Sequence, residues 1–145
     1  MAYLRDACDY AGKHGKVIAL DGVWGPSLIS TPELAVRLAE EVGSPHFGHN
    51  YDPCYLAVSG FDPAEVIPLL LPMTVHVHVK DYVGRYPDFE HRIVGEGVMD
   101  HAQYLRLLRG AGFGGYVVNE CFIDAPFERA CKNGYRALVE ASGAR

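Results

Sequence analysis

The feature that most constrains the fold is an alternation of short apolar segments with longer amphipathic ones. Each short segment has the length of a buried strand, and most of the longer ones begin with residues that favour a helix start. Strands separated by helices imply right-handed βαβ connections and therefore a parallel sheet. The predicted strands are residues 16–21, 47–52, 74–81 and 116–120, and the predicted helices are residues 3–14, 31–43 and 127–141, with two more that begin at residues 62 and 100.

Three of the helix starts carry side chains suited to capping. Thr31 is followed by proline and glutamate, so a hydroxyl, a first-turn proline and an acid stand at the positive end of the helix dipole. Asp62 with Glu65, and Asp100 with Gln103, have the spacing of a capping box. These signals support a repeated βα unit.

The strand ends are spaced at similar intervals along the chain. They fall at Asp21, Asp52, Lys80 and Glu120, in steps of 31, 28 and 40 residues. A barrel of eight βα units and about 250 residues averages about 31 residues per unit. A doubly wound sheet has the same rhythm, but no glycine-rich phosphate loop follows the first strand. The sequence therefore predicts an α/β fold, a partial (β/α)8 TIM barrel of about four parallel units, in a single domain over residues 1–145.

Composition and charge argue against several functions. A net charge of −5, with Lys and Arg scattered singly, provides no basic face for nucleic acid. The longest apolar run, residues 66–79, contains two prolines and two histidines, so we expect no membrane span, and residues 1–6 lack the apolar core of a signal peptide. The four cysteines show no CxxC spacing, which favours free thiols in a reducing, cytoplasmic protein.

Every predicted strand delivers an ionisable side chain at its carboxyl end. The carboxyl ends of barrel strands converge on one face, where active sites are built. Carboxylates and an imidazole that converge without a matching cationic cluster repel one another, and a divalent cation relieves that repulsion. The mixed oxygen and nitrogen ligands suit Mn²⁺, Mg²⁺, Co²⁺ or Zn²⁺. The residues concerned are Asp21, Asp52, His78 with Lys80, and Glu120.

Several of these side chains also have a purely structural explanation. Asp21 before glycine and Asp52 before proline are common turn formers. His78 fits a hydrogen-bonded histidine in a barrel interior, and Lys80 could pair with Asp81 at the rim. The residue types alone leave both explanations open.

Four short motifs follow one another along the chain: residues 52–55 (DPCY), 75–81 (VHVHVKD), 95–100 (GEGVMD) and 117–120 (VVNE). Together they resemble the sugar phosphate isomerase/epimerase family, the xylose-isomerase-like barrels that also include relatives of endonuclease IV. The resemblance covers nearly the whole chain, but only the C-terminal half of the family's fold.

The resemblance implies that Asp52, His78 and Glu120 are ligands of a divalent metal ion. Asp21 stands where the family usually has glutamate followed by asparagine; the shorter side chain can still coordinate a metal, but it has less reach as a base. Tyr55 stands where the family usually has histidine. A tyrosine can hydrogen-bond a substrate oxygen but is a poor neutral metal ligand, and a packed aromatic is the alternative interpretation.

The reaction that the resemblance implies is removal of a proton next to a sugar carbonyl. The metal would hold the carbonyl and stabilise the enediolate that forms. Asp21 and Glu120, on opposite sides of the sugar, would take a proton and return one. Lys80 would support the negative oxygen, and Tyr55 and His91 would contact the substrate. The predicted function is a metal-dependent isomerase or epimerase of a sugar or sugar phosphate.

Three alternatives fit the same scaffold. An inosose-type dehydratase begins with the same proton removal. An endonuclease IV-like zinc phosphodiesterase needs more metal-binding side chains and a basic surface. A non-catalytic half-barrel would bind metal or sugar weakly, or only assemble. Because four units leave two strand edges and an inner face uncovered, we expect either a homo-oligomer or a complementary N-terminal half-barrel.

Overall fold

Four parallel strands, hydrogen-bonded side by side in chain order, form the sheet that carries the candidate site. The computed structural model describes residues 1–143, so the last two residues of the predicted domain lie outside it. The strands are β1 Ile18–Asp21, β2 Phe47–Tyr51, β3 Thr74–Val79, β4 Asp81–Arg85, β5 Asp88–Arg92 and β6 Val117–Asn119; the sheet order is β1-β2-β3-β6, while β4 and β5 form a separate hairpin. The predicted α/β fold with parallel strands is confirmed.

The helices follow the strands as the sequence predicts. They are α1 Ala2–Lys13, α2 Pro32–Val42, α3 Pro53–Val58, α4 Pro63–Leu70, α5 His101–Gly110 and α6 Phe127–Ser142, with a 3₁₀ turn at Leu71–Met73. Thr31 caps α2 through the Leu34 amide, and Asp100 caps α5 through the Gln103 amide. Asp62 caps α4 through the Ala64 amide, one position earlier than a capping box uses. No helix within residues 1–143 is both long and apolar enough to cross a membrane.

Strand register decides which side chains share a face of the sheet. Asp21 is paired with Asn50, Asn50 with His76 after a register shift in β2, and His78 with Val118. Side chains alternate along a strand, so these residues lie on the same face. We call this face, with its members Ala19, Asp21, Asn50, His76, His78 and Val118, the inner face.

The apolar core lies on the opposite face, between the strands and the helices. Tyr51, Val77 and Val79 alternate with inner-face positions and are buried there. They pack with apolar residues of the helices and loops, namely Val23, Ala35, Leu56, Val66, Ile67, Leu70, Val94 and Leu108. The inner face is more open: Ala19 and Asp21 are exposed, and Val118 is 39% exposed. The core thus fixes the strands and leaves their polar face accessible.

Two elements are absent from the sequence-based prediction. The short helix α3 begins directly after β2, and the β4–β5 hairpin occupies residues that the prediction assigned to the end of a strand and a loop. The hairpin follows β3 almost without interruption and lies at the carboxyl end of the sheet. It brings His91 back toward the strand ends.

Asp81 anchors the loop that follows the hairpin. Its carboxylate accepts hydrogen bonds from the amides of Tyr82, Gly95, Gly97 and Met99 at 2.9–3.1 Å, and lies 3.1 Å from His101 Nε2. Burial favours the neutral acid, but the His101 contact and the amides outweigh it and lower the pKa of Asp81. The alternative in which Asp81 pairs with Lys80 at the rim is therefore wrong.

Candidate metal centre

Three side chains from neighbouring strand ends come together at the carboxyl edge of the sheet. One potential ligand atom each from Asp52, His78 and Glu120 lies within 4.8 Å of the other two. Asp52 follows β2, is fully buried, and caps α3 by accepting a bond from the Tyr55 amide at 3.1 Å. Glu120 follows β6, and its amide donates to the Val79 carbonyl at 3.0 Å. The backbone therefore holds both carboxylates at the edge.

Asp21 lies at the same edge but outside this three-residue group. Its Oδ1 accepts a hydrogen bond from Asn50 Nδ2 at 2.6 Å and lies 3.6 Å from His78 Nδ1. The side chain is 67% exposed. A role for Asp21 as a fourth ligand stays a prediction.

Asn50 joins the two sides of the site, and the sequence analysis missed it. Its Nδ2 lies 2.6 Å from Asp21 and 2.8 Å from His78 Nδ1. Its position in the sequence could have identified it. Asn50 lies two residues before Asp52, and alternation along a strand places residues two apart on the same face. The amide orients the imidazole relative to the Asp21 carboxylate.

The structure corrects the expectation that the carboxylates lack a cationic partner. Lys80 Nζ contacts Asp52 Oδ2 and lies 2.6 Å from Glu120 Oε2, with the side chain only 1% exposed. Burial alone would lower the pKa of Lys80, but the charge of Asp52 and hydrogen bonds to Asp52 and Glu120 raise it overall. Lys80 therefore keeps its proton, and its ammonium sits between two of the three potential metal ligands.

The donor set suits a divalent metal ion. An ammonium held between two carboxylates demonstrates that this position stabilises positive charge. Two carboxylates and one imidazole nitrogen match the ligands of Zn²⁺ and of harder divalent ions. The residues present therefore fit such an ion, provided that Lys80 withdraws from the position it holds.

Aromatic side chains enclose the ammonium of Lys80. Its Nζ lies 4.1 Å from the centroid of the Tyr55 ring and 5.3 Å from that of Phe122, within cation–π range. The Trp24 and Tyr55 ring centroids are 5.0 Å apart, and those of His91 and Phe122 are 5.8 Å apart. We call Trp24, Tyr55, His91 and Phe122 the aromatic wall. The structure thus brings the predicted contacts Tyr55 and His91 beside Lys80.

The charge state of His91 follows from its surroundings. Burial, and then the positive charge of Lys80, lower the pKa of His91 below its ordinary value. The ring is therefore neutral at pH 7 and can offer both a hydrogen-bond donor and an acceptor. Cys54, next to the site in sequence, is not part of the three-residue group, and burial raises the pKa of its thiol.

Parallel βα units with candidate site residues at the carboxyl ends of their strands are the arrangement found in TIM barrels. Within that class, the chain belongs to the xylose isomerase-like TIM barrel family, whose model matches residues 1–141. This finding confirms the family resemblance of the four sequence motifs.

Solved structures and one sequence relative agree with the family. The chain resembles the IOLI protein, solved with a bound zinc atom, with a TM-score of 0.82 and 20% identity over 97% of this chain and 54% of that chain. It resembles 3-keto-D-glucoside 4-epimerase, YcjR, from E. coli with a TM-score of 0.77 and 22% identity over 97% of this chain and 51% of that chain. An uncharacterized protein, ML2432, from Mycobacterium leprae (strain TN) is 35% identical over 75 residues, which are 52% of this chain and 26% of the relative.

The two structural comparisons establish the fold, and they also give the fraction of each solved structure that this chain matches. The chain spans about half the length of both solved structures and a smaller part of the sequence relative. The sugar epimerase and the zinc-binding protein share with it the arrangement of parallel βα units.

Proposed function

We propose that this chain supplies the metal-binding and proton-transfer residues of an isomerase or epimerase acting on a small sugar or sugar derivative. The observation that carries the proposal is the group of Asp52, His78 and Glu120 around a position already held by a positive charge. The sugar epimerase activity of a structural neighbour supports the substrate class. Four free cysteines support a reducing, cytoplasmic location.

The metal would be held by Asp52, His78 and Glu120. A bound Mn²⁺, Mg²⁺, Co²⁺ or Zn²⁺ would act as a Lewis acid toward a substrate carbonyl. Asp52, which is fully buried and fixed by the Tyr55 amide, is suited to permanent ligation because it has no freedom to leave. Asn50 fixes the orientation of His78 through its contact with Nδ1.

Proton transfer belongs to the two carboxylates that flank His78. Glu120 Oε2 lies 2.7 Å from His78 Nδ1, and Asp21 Oδ1 lies 3.6 Å from the same nitrogen. A sugar bound over the imidazole would present a carbon-bound proton to Glu120 and receive one from the Asp21 side. General base catalysis requires the carboxylate within hydrogen-bond reach of the proton it takes. Because the side chain of Asp21 is short, the second proton transfer requires the substrate to lie closer to the carboxylate than the first does.

Lys80 would stabilise negative charge on a substrate oxygen, and the aromatic wall would keep water away from that oxygen. The ammonium of Lys80 offers fixed positive charge to an oxygen that becomes negative during proton removal. The rings around it exclude water, which strengthens that interaction by lowering the local dielectric. Tyr55 and neutral His91 can each donate one hydrogen bond to a sugar hydroxyl.

A non-catalytic half-barrel is the second candidate, and one observation favours it. Lys80 already offsets part of the negative charge of the Asp52 and Glu120 carboxylates without a metal. A dehydratase would share the first proton transfer and differ in its unsaturated product. The endonuclease IV-like alternative is disfavoured by Tyr55 at a metal-ligand position and by the net charge of −5.

The first experiment measures metal binding by thermal unfolding with and without Mn²⁺ or Co²⁺. A ligand at a hundredfold excess over its dissociation constant stabilises the folded state by about 2.7 kcal/mol. We expect a rise in Tm that is lost in His78→Ala. His76→Ala is the matched control, because His76 lies on the same strand and face but outside the three-residue group. Absence of any metal-dependent rise contradicts the metal centre.

The second experiment measures proton transfer itself, in whichever assembled form of the chain binds metal. Solvent deuterium should enter the carbon next to the carbonyl of a ketose substrate. Glu120→Gln keeps the shape of the side chain and should abolish this exchange. Asp124→Asn, which changes an exposed carboxylate four residues away, should leave it unchanged. A metal-binding chain that exchanges no ketose proton would favour the non-catalytic half-barrel.

A further inference from the structure

Two cysteines that the candidate site does not use line one small cavity beside it. The cavity has a volume of about 160 Å³ and lies between the loop that follows β6 and the first turns of α6. It is lined by Cys121 from the loop, by Cys131 from the helix, and by apolar side chains of both elements. Both cysteines are free thiols. A cavity this small brings the loop cysteine and the helix cysteine close together.

The local structure explains why both side chains point into this cavity. Cys121 directly follows Glu120, and consecutive side chains at a strand end turn to opposite sides. Because Glu120 points to the candidate metal centre, Cys121 points away from it, toward α6. On α6, Phe127 and Cys131 are four residues apart and therefore lie on the same face of the helix, where both line the cavity. Each element thus directs its cysteine toward the other.

The surroundings of the two thiols differ. Cys131 is exposed within the part of the chain that the structure describes, whereas Cys121 is half-buried. Burial raises the pKa of the Cys121 thiol, a hydrogen bond from the Ile123 amide partly opposes this effect, and negative charge on Cys131 raises it further. The influence of Cys131 is a second sign that the two sulfurs are neighbours. A dissolved oxidant therefore meets Cys131 first.

We propose that Cys121 and Cys131 are a reversible redox pair, which a peroxide converts into an intramolecular disulfide. In the first step the Cys131 thiolate attacks an oxygen of hydrogen peroxide, the O–O bond breaks, and a sulfenic acid and water form. In the second step the Cys121 thiolate attacks the Cys131 sulfur, the S–O bond breaks, and the hydroxide that leaves takes up the Cys121 proton as water. The thiols lose the electron pair that the peroxide gains. A dithiol reductant reverses the reaction by thiol–disulfide exchange.

The disulfide would affect the candidate site through Glu120. A disulfide usually holds its two Cα atoms about 4.4–6.8 Å apart. It would therefore tether the start of the loop to α6, directly after the residue that contacts Lys80 and His78. This consequence rests on the proposed function, because it assumes that Glu120 is a metal ligand. Formation of the disulfide itself does not depend on any metal.

The first test treats the reduced chain with hydrogen peroxide in the absence of metal. Remaining thiols are alkylated after denaturation, and the intact mass and a peptide map are measured. We expect monomers with a bond between Cys121 and Cys131, which dithiothreitol reverses. Cys131→Ser should form no intramolecular disulfide. Cys8→Ala, which removes a buried cysteine of α1 outside the cavity, should form the same disulfide as the wild type.

Other oxidation products would overturn the redox pair. These are disulfide-linked dimers, a sulfinic acid at Cys131 without a bond to Cys121, or an intramolecular disulfide that persists in Cys131→Ser.

The second test compares the metal-dependent rise in Tm of the oxidised and reduced chains. We expect a smaller rise in the oxidised chain, because the tethered loop restrains Glu120. Equal rises in the two forms would overturn the effect on Glu120. No rise in either form would instead overturn the proposed metal centre, and the redox pair would still be decided by the mass measurement.

Discussion

At the scale of single residues, the contacts of Lys80 differ most from those that the sequence predicted. Alternation with His76 and His78 places Lys80, just after β3, on the same side of the sheet as the inner face. Its contacts do not follow from that pattern, because they depend on how far the side chain reaches across to Asp52 and Glu120. Periodicity identifies which face a residue occupies, whereas an ion pair between strands requires distances that only the folded sheet sets.

The Lys80–Asp52 pair leads to a prediction about stability. Removing one partner of a buried ion pair leaves an uncompensated charge and costs about 3–5 kcal/mol. We expect Lys80→Met to lower the free energy of unfolding by this amount in urea titrations without metal. Adding Asp52→Asn to Lys80→Met should recover most of the loss. Equal instability of the single and double variants would contradict the pairing.

The same lysine should oppose metal binding. In the wild-type chain a metal must displace the ammonium from two carboxylates, whereas in Lys80→Met those carboxylates are free. We therefore expect Lys80→Met to bind Mn²⁺ at least about tenfold more tightly, a difference of about 1.4 kcal/mol. Isothermal titration calorimetry measures it directly. Unchanged affinity would mean that Lys80 and the metal occupy separate positions.

His49 supplies a prediction about pH. It is 0% exposed, neither ring nitrogen has a hydrogen-bond partner in the described chain, and burial lowers its pKa from 6.5 to about 4, with Asp21 partly opposing. Between those values the unfolded state binds more protons than the folded state. Stability should therefore fall as pH drops from about 6.5 to about 4, by about 3 kcal/mol from this residue.

The control for His49 is an apolar side chain of similar size. His49→Leu cannot bind a proton, so its stability should depend less on pH across this range. Urea unfolding of both proteins at several pH values gives the comparison. Parallel pH profiles for wild type and His49→Leu would mean that His49 titrates normally in the folded state.

At the scale of secondary-structure elements, prediction succeeded where local chemistry is strong. The starts of α2, α4 and α5 follow from Thr31, Asp62 and Asp100, each of which caps its helix in the structure. The hairpin was missed because a single residue, Lys80, separates β3 from β4, so no turn signal divides the two strands. The six residues of α3 are too few to show a helical period.

The loop after the hairpin should be sensitive to one added methyl group. A Cβ on Gly97 would overlap the carboxylate of Asp81 and the carbonyl of Tyr82. We expect Gly97→Ala to destabilise the chain by about 1–3 kcal/mol, because the loop must move away from its Asp81 anchor. Gly114→Ala is the control, since a Cβ there meets nothing within 4 Å. Equal melting temperatures of the two variants would contradict this packing.

At the scale of the whole molecule, the spacing of the strands predicted the class of fold. The steps of 31 and 28 residues match one barrel unit each. The longer step of 40 residues is explained by the β4–β5 hairpin, which occupies Asp81–Arg85 and Asp88–Arg92 within the third unit. The convergence of Asp52, His78 and Glu120 followed from this fold, but the position of Asp21 outside their group did not, because side-chain reach is not encoded in spacing.

The open sheet should show a gradient of protection from hydrogen exchange. Within residues 1–143, β2 and β3 each have two neighbouring strands, whereas β1 and β6 have one. Local opening at a free edge exposes amides without unfolding the core. We expect the slowest amides of the isolated chain in β2 and β3, and faster exchange in β1 and β6, by mass spectrometry or NMR. Uniform protection across the four strands would mean that the edges are already covered.

The ammonium between the two carboxylates also bears on how the protein is made. A newly made chain can fold before it meets a metal ion. If the site carboxylates had no cationic partner, their mutual repulsion would oppose folding until a metal bound. Because the Lys80 ammonium already lies between Asp52 and Glu120, folding does not require a metal, and uptake at the proposed metal centre would be a later exchange of one cation for another. In the proposed metal centre, a shortage of metal would then leave the folded structure intact.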